Sequence, residues 1–100
     1  KERWRLIDLD VACSSRHSMN SKPPSSGYCP PEVAQKLLKA KRSGGELAEC
    51  LKGYSATVSN DLWSFGVVLY QLCCARPLWK LNDDDNLASD TDLELLASWS

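Results

Sequence analysis

The sequence has few of the residues that build metal sites and disulfide frameworks. Its one histidine, His17, lies in a serine-rich stretch without paired ligands, so no zinc site is predicted. The five cysteines are an odd number, and no two of them form a C-x-x-C pair. Cys73 and Cys74 are adjacent in a predicted helix, where their side chains diverge and do not bridge easily. The pattern predicts reduced, buried thiols in an intracellular, cytoplasmic protein.

Long hydrophobic runs and an excess of one charge are also missing. No stretch reaches the roughly 18 apolar residues that span a bilayer, and no signal-peptide pattern is present. The formal net charge is -1, which gives no electrostatic reason to expect binding to nucleic acid or to a membrane surface. The sequence starts at Lys1 without an initiator methionine and ends at Ser100 in an apolar-periodic segment. Both ends are expected to be cuts in a longer protein.

Periodicity and capping residues predict a mostly α chain with one short β element. Bulky residues at 4–7, ahead of an acidic turn, predict the strand. Six serines and two prolines between positions 14 and 27 predict a loop. A helix is predicted from Pro31 to the Gly44-Gly45 pair, because proline suits a first helical turn. Its predicted apolar face consists of Val33, Ala34, Leu37 and Leu38.

The most apolar segment runs from Asp61 to Ala75 and predicts a helix with almost no polar face. Ser59 and Asn60 are its predicted caps, and Pro77 closes it. A helix that is apolar all round must be buried on every side, which needs more neighbours than 100 residues supply. We therefore expect the central helix of a larger domain.

Two shorter helices are predicted on either side of this segment. One covers residues 46–51 and is ended by Gly53. The other follows an acidic loop at 82–92 and is opened by Thr91, with Glu94 three positions later in a capping-box pattern.

Three segments, in this order, resemble signature elements of the eukaryotic-type protein kinases. The first resembles the strand and Asp-Phe-Gly turn that presents a carboxylate to magnesium: Leu6-Ile7-Asp8-Leu9-Asp10. The second is similar to the end of the activation segment: Gly27-Tyr28-Cys29-Pro30-Pro31-Glu32. The third resembles the large central helix: Asp61-Leu62-Trp63-Ser64-Phe65-Gly66-Val67-Val68-Leu69-Tyr70-Gln71-Leu72.

The resemblance implies that residues 1–100 are part of the large, C-terminal lobe of a kinase domain. It divides the chain into a strand and magnesium-loop region (1–13), an activation segment (14–32), a helical stretch with an insert (33–58), the central helix and turn (59–79), and an acidic loop with its following helix (80–100).

The matching polar residues are expected to have the roles that the family gives them. Asp8 is expected to bind the magnesium ion that accompanies ATP. Ser25 and Tyr28 are expected in the loop that contacts the protein substrate. The residues expected to be structural are Glu32, Asp61 and Trp63.

The residues alone leave blander interpretations open. Asp8 also suits a strand end that accepts backbone N–H bonds, and Asp61 suits any first helical turn because of the helix dipole. Asp10 stands where the family has glycine, which permits a backbone change that a residue with a Cβ resists.

Two functions follow from the resemblance. One is a Ser/Thr-specific protein kinase that uses ATP and magnesium on a protein substrate, with the rest of the kinase domain as this chain's partner. The other, indicated by Asp10, is a pseudokinase that acts as a binding or regulatory module. The sequence contains no glycine-rich loop, strand lysine or His-Arg-Asp loop. The general base is expected upstream, and the chain alone is expected to be inactive.

Overall fold

The computed structural model describes residues 2–9, 12–18, 25–45, 51 and 53–99. Within these ranges there are three helices, α1 (Pro31–Ser43), α2 (Val58–Cys74) and α3 (Asp90–Ala97), and no strand. The only β-type pairings in these ranges are isolated bridges between Ser18 and Ser55 and between Leu81 and Leu87. The mostly helical fold class is confirmed.

Helix α1 begins and ends where its sequence predicts. Pro31 occupies the first helical position, where its missing N–H costs nothing, and Glu32 lies in the first turn. Gly44 ends the helix with a left-handed φ of 72°, a conformation that glycine adopts without steric cost. The N–H groups of Gly44 and Gly45 then bond to the carbonyl oxygens of Lys41 and Ala40. These bonds satisfy carbonyl groups that the helix end leaves unpaired.

The core lies where α1 packs against α3. It contains Cys29 just before α1, Leu51, and Leu87 just before α3. The core side chains that the two helices contribute are Val33, Ala34, Leu37, Leu93, Leu96 and Ala97. Two exposed ion pairs also join the helices, Lys41–Asp90 at 3.1 Å and Arg42–Glu94 at 3.0 Å. Exposed pairs of this kind contribute little, so apolar burial holds α1 to α3.

The start of α3 corrects one prediction. Ser89, not Thr91, is its N-cap, and the Ser89 hydroxyl oxygen accepts the N–H of Asp92 at 3.2 Å. The helix therefore begins at Asp90, and Thr91 lies inside its first turn. Serine is among the best N-caps, so the capping chemistry was available in the sequence at a position two residues earlier.

Helix α2 starts earlier than predicted and is largely uncovered. Thr57 precedes it with an extended backbone, so Ser59 and Asn60 are helical residues and not caps. Ala75 ends it with a left-handed φ of 55°, two residues before Pro77. Only Asn60 and Val67 are buried in this helix. Apolar side chains such as Phe65, which is 55% exposed, face outwards.

The predicted strand at 4–7 is wrong for this structure. Residues 2–9 are exposed and form no ladder with any other part of the described chain. A strand exists only by pairing with a neighbour, because its N–H and C=O groups bond between strands. Residues 4–7 have a sequence preference for β structure, but they form no strand because no neighbouring strand pairs with them in the described chain.

Two features that the sequence analysis singled out lie mostly or wholly outside the described residues. The helix at 46–51 falls mainly outside the described residues, although Leu51 is described and is buried in a turn. Asp10 also lies outside them.

Four free cysteines are described, of which Cys29 is buried, whereas Cys13, Cys73 and Cys74 are exposed. The prediction of buried thiols is thus wrong for those three. No helix in the described ranges has the length and apolar character to cross a bilayer.

Candidate functional site

Residues 25–28 form a turn directly before α1, called here the docked turn. The N–H of Tyr28 donates to the carbonyl oxygen of Ser25 at 3.2 Å. Ser26 and Gly27 are buried, whereas Ser25 and Tyr28 are half-exposed. The two residues predicted to contact a protein substrate, Ser25 and Tyr28, are thus the outer corners of one turn whose middle is inside the protein.

The loop at 81–87, called here the acidic loop, holds the middle of the docked turn. Asn86 Oδ1 accepts the N–H of Ser26 at 2.8 Å. The Ser26 hydroxyl oxygen accepts the N–H of Leu87, also at 2.8 Å. The N–H of Gly27 donates to the carbonyl oxygen of Asp85 at 3.1 Å. These bonds are largely shielded from water, since Ser26 is 8% exposed, and shielding makes the loss of either partner costly.

The acidic loop has its own internal bonds. Asn82 Oδ1 accepts two backbone N–H groups, from Asp84 at 2.9 Å and from Asn86 at 3.1 Å. The N–H of Asn82 donates to the carbonyl oxygen of Asn86 at 2.8 Å. Asp85 adopts a left-handed φ of 61°, which Asp tolerates better than most residues. The loop is therefore held in shape in part by hydrogen bonds between its own residues.

At position 27 there is no room for a side chain, so the turn requires glycine there. A Cβ at this position would lie 2.7 Å from the carbonyl oxygen of Asp85 and would collide with the Leu81 side chain. Contacts this close are essentially never seen for real Cβ atoms. Glycine thus allows the backbones of the docked turn and the acidic loop to touch.

Helix α2 holds the docked turn from another side. The Ser64 hydroxyl lies 2.8 Å from the carbonyl oxygen of Tyr28 and 3.1 Å from that of Asn60. Asn60 Oδ1 in turn accepts the hydroxyl of Tyr54 at 3.1 Å. Helix α2 therefore contacts the docked turn at Tyr28, and the acidic loop contacts it at Ser26 and Gly27.

Cys29 directly follows the docked turn, and its thiol is expected to be unreactive. It is 2% exposed, and its Sγ lies 3.4 Å from the carbonyl oxygen of Ser26. Burial is the largest effect and raises the pKa of Cys29, a backbone hydrogen bond lowers it, and the nearby carboxylate of Glu32 raises it by a smaller amount, which leaves a pKa of about 12. Because the thiolate is the reactive form, Cys29 is not a nucleophile near neutral pH.

The other predicted site residues lie away from the interior of the turn. Glu32 is exposed in the first turn of α1. The pKa of Tyr54 is raised, chiefly by the burial of its hydroxyl and next by the negative charge of Glu32. Asp61 is exposed in the first turn of α2, where a carboxylate suits the helix dipole. Asp8 is exposed in the segment 2–9 and has a left-handed φ of 57°. Across the described ranges, no three His, Cys, Asp or Glu side chains are grouped so that they could hold a metal ion.

Trp63 is half-buried and forms an aromatic cluster at the edge of the core. Its ring meets that of Trp99 edge-on at a centroid distance of 5.7 Å, and Trp79 meets Trp99 at 6.4 Å. The indole N–H groups of Trp63 and Trp79 are buried and have no hydrogen-bond partner among the described residues. The structural role expected of Trp63 stays a prediction of the resemblance.

A cleft of about 540 Å³ opens beside Tyr28, at the end of α2. Its lining includes two cationic side chains, Arg76 and Lys80, and no carboxylate. The lining residues are Tyr28, Gln71, Ala75, Arg76, Pro77, Lys80 and Leu81.

Sequence reasoning missed the residues that hold the docked turn. The sequence predicts Asn82 and Asn86 only as part of an acidic loop, and Ser64 only as part of an apolar helix. A signal for the two asparagines existed, because Asn side chains commonly bond to backbone groups a few residues away and so shape turns. No sequence signal connects Asn86 to Ser26, which lies 60 positions earlier.

The chain is 30% identical over 81 residues to the "Negative regulator of sexual conjugation and meiosis" of Schizosaccharomyces pombe. This match covers 75% of the chain and 17% of the relative, so the chain spans about a sixth of that protein. No family model matches the chain. No solved structure matches it.

Proposed function

We propose that this chain is part of the large lobe of a Ser/Thr-specific protein kinase. The full-length protein would transfer the terminal phosphoryl group of ATP to hydroxyl groups of a protein substrate. The three segments that resemble kinase signature elements support this proposal through their order and spacing. The relative in fission yeast is named as a negative regulator of conjugation and meiosis, which is a regulatory role in the cell but states no chemistry.

The observation that supports the proposal most directly is the construction of the docked turn. Ser26 and Gly27 are buried and bonded to the acidic loop, whereas Ser25 and Tyr28 remain half-exposed. A surface that binds a protein segment works best when rigid elements hold it in shape and its contacting groups stay accessible. The docked turn meets both conditions at the two residues predicted to face the substrate.

In this proposal, the residues of the docked turn hold the substrate and carry out no chemical step. The docked turn and the cleft beside Tyr28 would orient a peptide, while the reacting groups belong to other parts of the protein. Asp8 is exposed, and its role as a magnesium ligand stays a prediction of the resemblance.

A second candidate function is a pseudokinase that binds a protein without modifying it. Asp10 favours it, because a carboxylate residue stands where the kinases have glycine. Such a module would use the same docked turn as a contact surface.

A transfer assay on the full-length protein distinguishes the two functions. The protein is incubated with magnesium and γ-labelled ATP and with an arrayed library of serine-, threonine- and tyrosine-containing peptides. Label on serine and threonine, and not on tyrosine, is the expected result. A correctly folded protein that labels no peptide and not itself would contradict the kinase and favour the module.

A further inference from the structure

We propose that the acidic loop is a clamp that sets the shape of the docked turn, and that Asn86 is its positioning residue. The proposed consequence, tighter binding of the protein substrate, rests on the proposed kinase function. The clamp itself rests only on the contacts between residues 25–28 and 81–87.

The contact between the two segments is reciprocal. The Asn86 side chain satisfies the N–H of Ser26, and the Ser26 side chain satisfies the N–H of Leu87. Each segment therefore supplies one side-chain acceptor and one backbone donor to the other. Because Ser26 and Leu87 are both buried, either N–H would lack water as a substitute partner if its acceptor were removed.

Asn86 is also held in place by the loop that carries it. Its N–H bonds to Asn82 Oδ1, and its carbonyl oxygen accepts the N–H of Asn82. With both backbone groups engaged, the side-chain oxygen needs little further ordering to reach Ser26. A preorganised acceptor of this kind loses less conformational entropy on making its bond.

The negative charges of the loop are not needed for the clamp. Asp85 and Asp84 face the docked turn through their carbonyl oxygens, which accept from Gly27 at 3.1 Å and lie 3.4 Å from the Ser25 hydroxyl. Among the described residues, Asp83 forms no hydrogen bond with the docked turn, and its side chain is exposed. A variant at Asp83 is therefore a suitable control in the same loop.

The clamp predicts a split between substrate affinity and catalytic rate. If it loosens, Ser25 and Tyr28 sample more positions, and a bound peptide must order them again. That cost falls on binding in the ground state and in the transition state alike, so KM for the peptide rises while kcat changes little. KM for ATP should not change, because the docked turn has no proposed contact with the nucleotide.

The test compares two substitutions of Asn86 in the full-length protein. Asn86→Ala removes the acceptor for the Ser26 N–H, whereas Asn86→Asp keeps an acceptor oxygen in the same position. Asp83→Ala is the control. Hydrogen exchange of the Ser26 amide, resolved by NMR, should be about 10-fold or more faster in Asn86→Ala and near wild type in the other two variants. An unchanged rate in Asn86→Ala, or an equal increase in Asn86→Asp, would overturn the clamp.

Steady-state kinetics with the fastest peptide from the arrayed library test the consequence for substrate. KM for that peptide should rise about 10-fold in Asn86→Ala, with kcat and KM for ATP within about 2-fold of wild type, and Asn86→Asp should restore it. Faster exchange without a change in peptide KM would overturn the link to substrate binding. A wild-type protein that transfers no phosphate would contradict the proposed function and this link together, while the exchange rates would still decide whether the clamp exists.

Discussion

The N–H of Ser26 donates to Asn86 Oδ1 at 2.8 Å, which joins two residues that lie 60 positions apart in the sequence. The Ser26 hydroxyl oxygen continues the contact by accepting the N–H of the next residue, Leu87. The acidic loop thereby buries the centre of the docked turn and leaves its corners accessible.

Gly27→Ala should destabilise the protein by about 1–3 kcal/mol, because the added methyl group would collide with Leu81 and with the Asp85 carbonyl. Urea unfolding of the full-length protein measures this change in the free energy of unfolding. Gly45→Ala is the matched control, since a Cβ there meets its nearest neighbour, Ser43 Oγ, at an ordinary 3.5 Å. Equal stability of the two variants would show that the docked turn and the acidic loop do not touch as described.

Phe65→Ala should destabilise the full-length protein by about 3–5 kcal/mol, the range for deleting a buried aromatic side chain. Phe65 is 55% exposed in this chain, so the prediction requires other parts of the protein to cover α2. Ser59→Ala, at an exposed polar position of the same helix, should change stability by less than about 0.5 kcal/mol. A loss below about 1 kcal/mol for Phe65→Ala would contradict a central position for α2 in a larger domain.

Cys29 should resist alkylation in the folded protein. With a pKa of about 12, only about one thiol in ten thousand is ionised at pH 8. Iodoacetamide followed by mass spectrometry should label exposed cysteines outside α2, such as Cys13, and leave Cys29 unlabelled until the protein is unfolded. Labelling of Cys29 at the rate of the exposed cysteines would show that the docked turn opens freely.

The same raised pKa has a consequence for stability at high pH. Between the ordinary value of 9.0 and about 12, the folded protein keeps a proton on Cys29 that the unfolded chain has lost. The unfolded state then binds fewer protons, so this group's contribution makes stability fall as the pH rises through that window. Cys29→Ser, compared with wild type by urea unfolding at pH 8 and pH 10, should lose less stability over this range.

Local signals in the sequence were enough for α1 and for most of α2. Pro31 and Gly44 specify both ends of α1 by backbone preference alone, and the structure agrees with them. The start of α2 was misplaced because Thr57, Ser59 and Asn60 are all acceptable caps, and local preference does not choose among them.

Features that depend on distant partners could not be predicted from the sequence. The strand at 4–7 needed a neighbour that the described residues do not supply. The start of α3 was misplaced for a local reason, because Ser89 and Thr91 are both acceptable caps. The docked turn was located through Ser25 and Tyr28, but its supports were not. Asn86 contacts Ser26 only because the chain folds back over 60 positions, and no periodicity encodes such a contact.

The most direct test of the proposed kinase function is phosphoryl transfer by the full-length protein and its Asp8→Ala variant. Asp83→Ala serves as the control, because it also removes an exposed aspartate but has no proposed contact with magnesium. Wild type and Asp83→Ala should label serine- and threonine-containing peptides, and Asp8→Ala should lose transfer while its unfolding midpoint stays within a few degrees of wild type. Unchanged turnover of Asp8→Ala at saturating ATP and magnesium would contradict the account.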